Sequence, residues 1–147
     1  MIIGDICTRD VYFMRPDDPL ANAVREMRKR HVGAIVVVEP AGKRLQPIGI
    51  VTDRDVVCGQ LDRRADLSCL VVADVMSPDP LTVAESATLA EAVESLSGRG
   101  VRRAPVVADT GDLVGMVTLD DLLPAVAEEL GALAELIGYQ AKREMRD

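Results

Sequence analysis

The chain has 147 residues, of which 48% are hydrophobic and 28% charged, and its formal net charge is −7. This composition is typical of a folded globular protein and excludes a disordered chain. An acidic balance with two tyrosines, one phenylalanine and no tryptophan argues against nucleic-acid binding, which uses a basic surface and often aromatic stacking.

The apolar runs, the cysteines and the histidine exclude several further classes of protein. The longest apolar runs are too short for a membrane-spanning helix, and no signal-peptide pattern is present. Cys7, Cys58 and Cys69 are odd in number and follow no metal-ligand spacing. His31 is the single histidine, so we predict no metal site. We expect reduced thiols in a cytoplasmic protein that makes no membrane contact.

The first predicted elements are a helix, a strand hairpin and a second helix. The first helix follows Asp18, a predicted N-cap, and Pro19, which suits a first helical position. Residues 34–38 and 48–52 are the predicted strands, and residues 53–60 are the second helix. The apolar stripe of the first helix consists of Leu20, Ala23, Val24 and Met27.

A polar stretch over residues 62–68 predicts a linker, after which the same order of elements returns. Thr88 and Glu91 form a capping-box pattern before a helix whose end is marked by Gly98 and Gly100. Strands are predicted at 106–107 and Leu113–Thr118, and a helix at 119–129. The stripe of this first helix repeats as Leu89, Ala92, Val93 and Leu96.

The chain therefore contains an internal repeat. Residues 5–38 align without gaps with residues 74–107, and residues 49–55 align with 115–121 after a longer loop in the first copy. A unit of about 60 residues is only marginally stable alone. We therefore expect the two copies to stack their sheets face to face into one core, related by pseudo-twofold symmetry, and to fold as one unit.

This pattern resembles the CBS domain, named from cystathionine β-synthase, of which two tandem copies form a CBS pair or Bateman module. The carriers are residues 74–78 (Asp-Val-Met-Ser-Pro), residues 101–107 and the two Gly-x-x-Thr-x-x-Asp segments. The first copy departs from the pattern at residues 5–9, and it has Val36 where the second copy has Pro105. These departures make the two expected ligand clefts unequal.

The resemblance implies an α/β (α+β) fold built from short sheets packed with helices. It places repeat one at 1–61, a linker at 62–73 and repeat two at 74–127. Residues 128–147 are left as a C-terminal amphipathic helix.

The resemblance also implies a regulatory module that binds an adenosyl compound between the copies. AMP, ADP, ATP, NAD and S-adenosylmethionine are the usual ligands, with Mg²⁺ accompanying ATP. A stand-alone, non-catalytic sensor of cellular energy is implied, one that forms a homodimer and signals to a regulated protein. The alternatives are a scaffold that binds no small molecule and an enzyme acting on nucleotides, for which we find no activated nucleophile or phosphate loop.

Thr52 and Thr118 carry the predicted chemistry, because each ends a strand and begins a helix. The hydroxyl and the free N–H groups of the first helical turn favour a phosphate. Asp55 and Asp121, three residues later, can accept hydrogen bonds from ribose hydroxyls. The same Thr-x-x-Asp spacing is also that of a capping box without any ligand. Two symmetric instances, each preceded by a glycine, favour nucleotide binding.

The glycines and their neighbours complete the predicted adenine slots. Gly49 and Gly115 either permit a strand bend or let the backbone approach a ligand, and we favour the second. Because aromatic residues are scarce, we expect aliphatic walls, with Ile50 and Met116 projecting into the clefts.

The opposite edges of the clefts rest on the resemblance alone. It places two short segments there, with Arg102 and Arg103 as candidate phosphate ligands, whereas the basic run 28–30 is interpreted as solvated surface and His31 as a helix C-cap. The residues of these edges are Val32, Gly33 and Ala34 in the first copy and Val101, Arg102 and Arg103 in the second.

An amphipathic stripe continues beyond the repeat, where Val126, Leu130, Leu133, Ile137 and Ala141 recur at helical spacing. The repeat does not account for it. The stripe packs either on the pair itself or against a second subunit.

Overall fold

A computed structural model describes residues 1–146 of the chain. The first repeat contributes three helices and three strands: α1 (Ile3–Ile6), β1 (Phe13–Met14), α2 (Leu20–Arg30), β2 (Ala34–Ala41), β3 (Arg44–Thr52) and α3 (Asp53–Arg63). A 3₁₀ turn at Leu67–Cys69 then leads into α4 (Val72–Val75), β4 (Ser77–Pro78), β5 (Val83–Ala84), α5 (Leu89–Arg99), β6 (Arg103–Val107), β7 (Leu113–Thr118) and α6 (Leu119–Glu144).

The strands form two small mixed sheets, which confirms the predicted fold class. One sheet has the order β1-β2-β3-β4 and the other β5-β6-β7. In each sheet a short first strand runs parallel to the next strand, which forms an antiparallel hairpin with its successor. Both predicted hairpins are therefore confirmed.

Two hydrophobic clusters exist in place of the single core that we expected. One is built on α2, β2 and β3, the other on α5, β6 and β7. Each is completed by a segment from the opposite end of the fold: Ile3 of α1 packs in the second cluster, and Val72 of α4 packs in the first. The expectation of one shared core was wrong because each helical layer buries its own sheet face.

We call residues 1–12 the first arm and residues 70–81 the second arm. The Ile3 N–H donates to the Ala87 carbonyl at 2.8 Å, and the Val72 N–H donates to the Asp18 carbonyl at 2.9 Å. The first arm is therefore bonded to the second repeat and the second arm to the first repeat. This reciprocal crossing joins the two clusters into one unit.

The remaining sheet faces are also closed off from solvent. In β2, Ile35 and Val37 belong to the helix-facing cluster, so the alternation of strand side chains turns Val36 and Val38 to the other face. Both are fully buried, as is Pro105, the residue equivalent to Val36. The Leu45 N–H also donates to Asp112 at 2.7 Å, which links the two hairpins.

The helix starts agree with the sequence in part. The capping box of Thr88 and Glu91 at α5 is confirmed, and His31 and Gly100 are the left-handed C-caps of α2 and α5. The predicted N-cap role of Asp18 was wrong, because its carboxylate accepts the Arg15 N–H at 2.8 Å and closes the preceding turn.

The last helix is longer than predicted. The helix expected at 119–129 and the C-terminal helix expected at 128–147 form one element, α6, that passes through Pro124; Asp147 lies outside the described residues. Among residues 1–146, no helix combines the length and hydropathy that a membrane crossing requires.

Candidate functional site

The corner between β3 and α3 is held by two reciprocal hydrogen bonds. The Asp55 N–H donates to the Thr52 hydroxyl oxygen at 3.1 Å, and the Thr52 N–H donates to Oδ2 of Asp55 at 2.9 Å. The ligand-free alternative, a capping box, is therefore present at this corner. The Thr52 hydroxyl can still donate its own hydrogen, and Oδ1 of Asp55 is left for another donor.

The first turn of α3 does not offer the free N–H groups that we predicted for a phosphate. The Asp53 N–H donates to the Gly33 carbonyl at 3.0 Å, and the Arg54 N–H donates to the Asp53 carboxylate at 2.8 Å. The third N–H, that of Asp55, is held by Thr52. Because these donors already have partners, a phosphate in this region needs other positive groups.

The corner between β7 and α6 is related but not identical. The Thr118 N–H donates to Oδ2 of Asp121 at 2.8 Å, and here the Thr118 hydroxyl also donates to Oδ2, at 3.0 Å. The Leu119 N–H donates to the Arg102 carbonyl at 2.9 Å. The hydrogen of this hydroxyl is thus already used inside the protein.

A cleft of about 300 Å³ opens beside Thr52, and we call it the first cleft. The first repeat supplies one wall and the second repeat the other. The lining residues are Ile50, Thr52 and Asp55 on one side, and Ser77, Pro78, Asp79, Pro80, Leu81, Arg99, Val101, Arg102 and Arg103 on the other.

A second cleft, of about 430 Å³, opens beside Thr118. Its walls come from the same structural positions with the repeats exchanged. The lining residues are Met116, Thr118 and Arg103 from the second repeat, and Thr8, Asp10, Val11, Tyr12, Arg30, Val32, Ala34, Ile35 and Val36 from the first.

The two arms supply lining residues that sequence reasoning missed. Asp79 lines the first cleft and Asp10 the second, and these aspartates are identical positions in the repeat alignment. The two arm segments differ between the copies at most other positions, so the identity of this position was the sequence signal that could have identified it. The repeat alignment alone gave no reason to place these two aspartates in a cleft.

Arginines are distributed unequally between the clefts. Arg99, Arg102 and Arg103 line the first cleft, whereas Arg30 and Arg103 line the second. Arg103 therefore borders both. Arg30 is exposed, as expected for the basic run 28–30, but it also lines the second cleft, and its guanidinium carbon lies 4.1 Å from the centroid of the Tyr12 ring.

Tyr12 gives the second cleft the aromatic wall that we did not expect. Burial raises the pKa of its phenol, and nearby Glu26 adds to the rise while Arg30 opposes it. The phenol therefore stays protonated and can donate a hydrogen bond. The equivalent residue in the first cleft is Leu81.

Gly49 and Gly115 serve the crossing of the arms. A Cβ at Gly49 would lie 2.7 Å from Met76 Sδ, and one at Gly115 would lie 2.9 Å from both Cys7 Sγ and the Thr8 carbonyl oxygen. The space beside each glycine is filled by an arm and is not open to a ligand.

Gly33 and Asp121 are likewise not among the residues that line either cleft. Gly33 instead contacts α3, where its carbonyl accepts the Asp53 N–H. Of the residues predicted from sequence, the structure brings six together at the first cleft: Ile50, Thr52, Asp55, Val101, Arg102 and Arg103. At the second cleft it brings together Val32, Ala34, Met116 and Thr118, and Arg103 again.

The duplicated helix–hairpin–helix unit, with a cleft on each side of the pair, matches a known family. The sequence profile described as CBS domain matches residues 3–59 and 72–128. The chain belongs to the CBS domain family. It contains two CBS domains, as the repeat predicted.

Similar proteins occur in an archaeon, a bacterium and a plant. The uncharacterized protein MK0525 of Methanopyrus kandleri is 33% identical over 121 residues, which cover 82% of this chain and 60% of the relative. The CBS domain-containing protein YhcV of Bacillus subtilis is 31% identical over 120 residues, covering 82% and 81%. This chain therefore spans 60% of the length of the Methanopyrus relative.

A solved structure supports the same relationship. CBSX2 of Arabidopsis thaliana, crystallised in complex with AMP, is 26% identical and superposes with a TM-score of 0.71. The match covers 86% of this chain and 96% of that one. Within residues 1–146, no group of three or more His, Cys, Asp or Glu side chains is arranged to hold a metal ion.

Proposed function

We propose that this CBS pair binds an adenine nucleotide of the AMP class in the first cleft, and that occupancy regulates a partner protein without catalysis. The observation that carries the proposal is the composition of that cleft. It sets Thr52 and Asp55 across from three arginines, with apolar side chains between them.

The base and the ribose have matching groups in the first cleft. Ile50, Leu81 and Val101 supply an apolar slot, the kind of surface that lines most small-molecule sites. Asp55 has an oxygen left for a ribose hydroxyl, since only Oδ2 is bonded to Thr52. The Thr52 hydroxyl can donate to the ribose or to the first phosphate.

We assign phosphate binding to arginines of the first cleft and not to the N-terminus of α3. The first N–H groups of α3 already have partners, and Arg99 is partly committed because its Nη2 donates to the Asp79 carbonyl at 3.0 Å. Arg102 and Arg103 are the remaining cations, and guanidinium groups bind phosphate oxygens with paired, charge-assisted hydrogen bonds.

Regulation follows from the position of the cleft between the repeats. A ligand that touches Asp55 on one side and Arg102 on the other fixes the relative position of both repeats. The second cleft is a weaker candidate for a phosphate, because its Arg30 is held by Glu26 at 2.9 Å and by the Tyr12 ring. The AMP bound by CBSX2 supports this class of ligand.

The first experiment is calorimetry of nucleotide-free protein with AMP, ADP, ATP, NAD, S-adenosylmethionine and, as a control base, UMP. We expect saturable binding of at least one adenine compound and none of UMP. At a ligand concentration one hundredfold above Kd, stability should rise by about 2.7 kcal/mol. Flat titrations with every adenine compound would contradict the proposal, and conversion of a ligand to product during incubation would favour an enzyme.

The second experiment separates the groups of the first cleft. R102A should weaken AMP about tenfold or more while leaving adenosine unchanged, and D55N should weaken both. R28A and E91Q are the matched controls, because they make the same chemical changes at residues that do not line either cleft. Equal AMP affinity in R102A, D55N and the controls would exclude this cleft as the site.

A further inference from the structure

Within the described residues 1–146, nothing packs over the second half of α6. Every residue from Val126 to Arg146 is exposed. The exposed residues include large apolar ones, such as Leu133 at 60% and Ile137 at 70% exposure. The alternative in which this stripe packs on the pair itself was therefore wrong. A contiguous apolar surface of this kind marks an interaction site.

The spacing of the stripe is that of a coiled coil. Its seam residues alternate at four and three positions, as in a heptad repeat: Val126, Leu130, Leu133, Ile137, Gln140 and Glu144. One flank carries Glu129, Leu136 and Arg143, the other flank carries Ala127, Ala134 and Ala141, and the outer face carries Glu128, Glu135 and Lys142.

We propose that residues 126–144 of two copies of this chain pair as an antiparallel coiled coil. Leu133 of one copy then packs against Ile137 of the second copy, and Leu136 meets its own equivalent across the twofold axis. On the same flank, Glu129 lies opposite Arg143 of the second copy, and symmetry repeats that ion pair at the other end.

Charge complementarity identifies the occupant as a second copy and fixes the direction. The flank is acidic at its beginning and basic at its end, so it complements itself only when the helices run in opposite directions. In a parallel pair Glu129 lies beside the uncharged alanine flank, and Glu144 meets Glu144 of the second copy in the seam. The small alanines of the other flank let the two helices approach closely.

An apolar groove continues the same surface. It lies between α5 and α6, has a volume of about 320 Å³ and is lined by residues that include Val93, Leu96, Leu123 and Val126. In the antiparallel register, Val126 faces Glu144 of the second copy. Met145, which is 87% exposed, therefore ends beside the groove of the other copy and supplies an apolar side chain there.

The first test is sedimentation equilibrium of the full chain. We expect a dimer that I137E converts to a monomer, with Kd raised about 100-fold or more because two apolar seam residues are lost. Circular dichroism should stay unchanged, since Ile137 touches no core. A wild-type protein that is monomeric at all concentrations would overturn the proposal and would mean that the stripe binds a different protein. A dimer that I137E leaves intact would also overturn it.

The second test reverses the flanking charges. E129R alone should weaken the dimer roughly tenfold by turning two attractions into repulsions, and R143E should do the same. The double variant E129R/R143E should recover the wild-type affinity. E135R is the matched control, because the same change lies on the outer face. Failure of the double variant to recover would refute the antiparallel register.

The third test measures the direction of the helices by spin labels, with the three native cysteines, Cys7, Cys58 and Cys69, replaced by serine. Labels at E135C should lie at the same level along the helix axis on the two outer faces, whereas labels at E128C should be further apart because they are also separated by about 21 Å along that axis. Equal distances at the two positions would mean a parallel pair and overturn the proposal. None of these tests involves a nucleotide, so they stand independently of the proposed ligand.

Discussion

Thr52 and Asp55 are hydrogen-bonded to each other in both directions, through N–H to hydroxyl at 3.1 Å and N–H to carboxylate at 2.9 Å. The motif that suggested a nucleotide site therefore also builds the helix that carries it. A variant at either residue changes the start of α3 as well as the first cleft. Binding and stability have to be measured together for this pair.

The two threonine corners should respond differently to the loss of the hydroxyl. T52V removes the acceptor of the Asp55 N–H and should cost about 1 kcal/mol of unfolding free energy. T118V should cost less unfolding free energy. The Thr118 hydroxyl donates to Asp121 and accepts no helix N–H, so its removal leaves no backbone donor of α6 unpaired. Urea unfolding of both variants measures the difference, and equal losses would contradict the assigned donors.

The glycines beside the arms should not tolerate a methyl group. G115A places a Cβ 2.9 Å from the Thr8 carbonyl oxygen, and G49A places one 2.7 Å from the more flexible Met76 Sδ. Because the Cβ of G49A would also lie 3.0 Å from the Ser77 carbonyl oxygen, we expect both variants to destabilise the protein by about 1–3 kcal/mol. G98A is the control, since nothing lies within 4 Å of its Cβ and alanine favours a helix. Stabilisation by G115A would show that the arm is not packed there.

Because the arms cross, a substitution in one arm should destabilise the opposite repeat. Ile3 is fully buried in the second cluster and Val72 in the first. I3A should cost about 2–5 kcal/mol and speed amide exchange in β6 and β7, whereas V72A should speed exchange in β2 and β3. Hydrogen-exchange mass spectrometry reads both effects. Faster exchange confined to each variant's own repeat would contradict the crossing.

The cap of α5 predicts a pH dependence. Hydrogen bonds from the Thr88 backbone and hydroxyl hold the pKa of Glu91 below its ordinary value. The cap therefore contributes stability at pH values above the unfolded pKa and loses it as the pH falls through the folded pKa. Wild type should lose more stability than E91Q over that acidic range in urea unfolding. Parallel curves for the two proteins would show that the carboxylate does not cap the helix.

Local structure was the part most readily predicted. The strand Leu113–Thr118 was predicted with the bounds that it has, and the capping box at Thr88 was recognised, because both depend on neighbours within a few positions. Asp18 was misassigned for the same reason. Several polar residues near a helix start can cap it, and the choice between them depends on the fold of the preceding turn.

Only one wall of each cleft, the one formed by the strand-to-helix corner, could be predicted from the sequence. Thr52 and Ile50 follow from the strand-to-helix corner, but Asp79 and Tyr12 reach the clefts because the arms cross to the opposite repeat. A repeat pattern does not show which copy receives an arm. The same limit applied to Gly49, whose neighbour is a residue of the second arm.

The amino-acid sequence by itself determined the duplication, the alternation of helix and hairpin, and the membership of a known family, because each of these follows from residue spacing and short motifs. Only the tertiary structure decided that two clusters replace one core, that Arg103 borders both clefts and that the end of α6 stands free. These features depend on contacts between residues far apart in the chain. Hydrophobic burial rewards any close packing of apolar faces and does not specify from the sequence alone which faces meet.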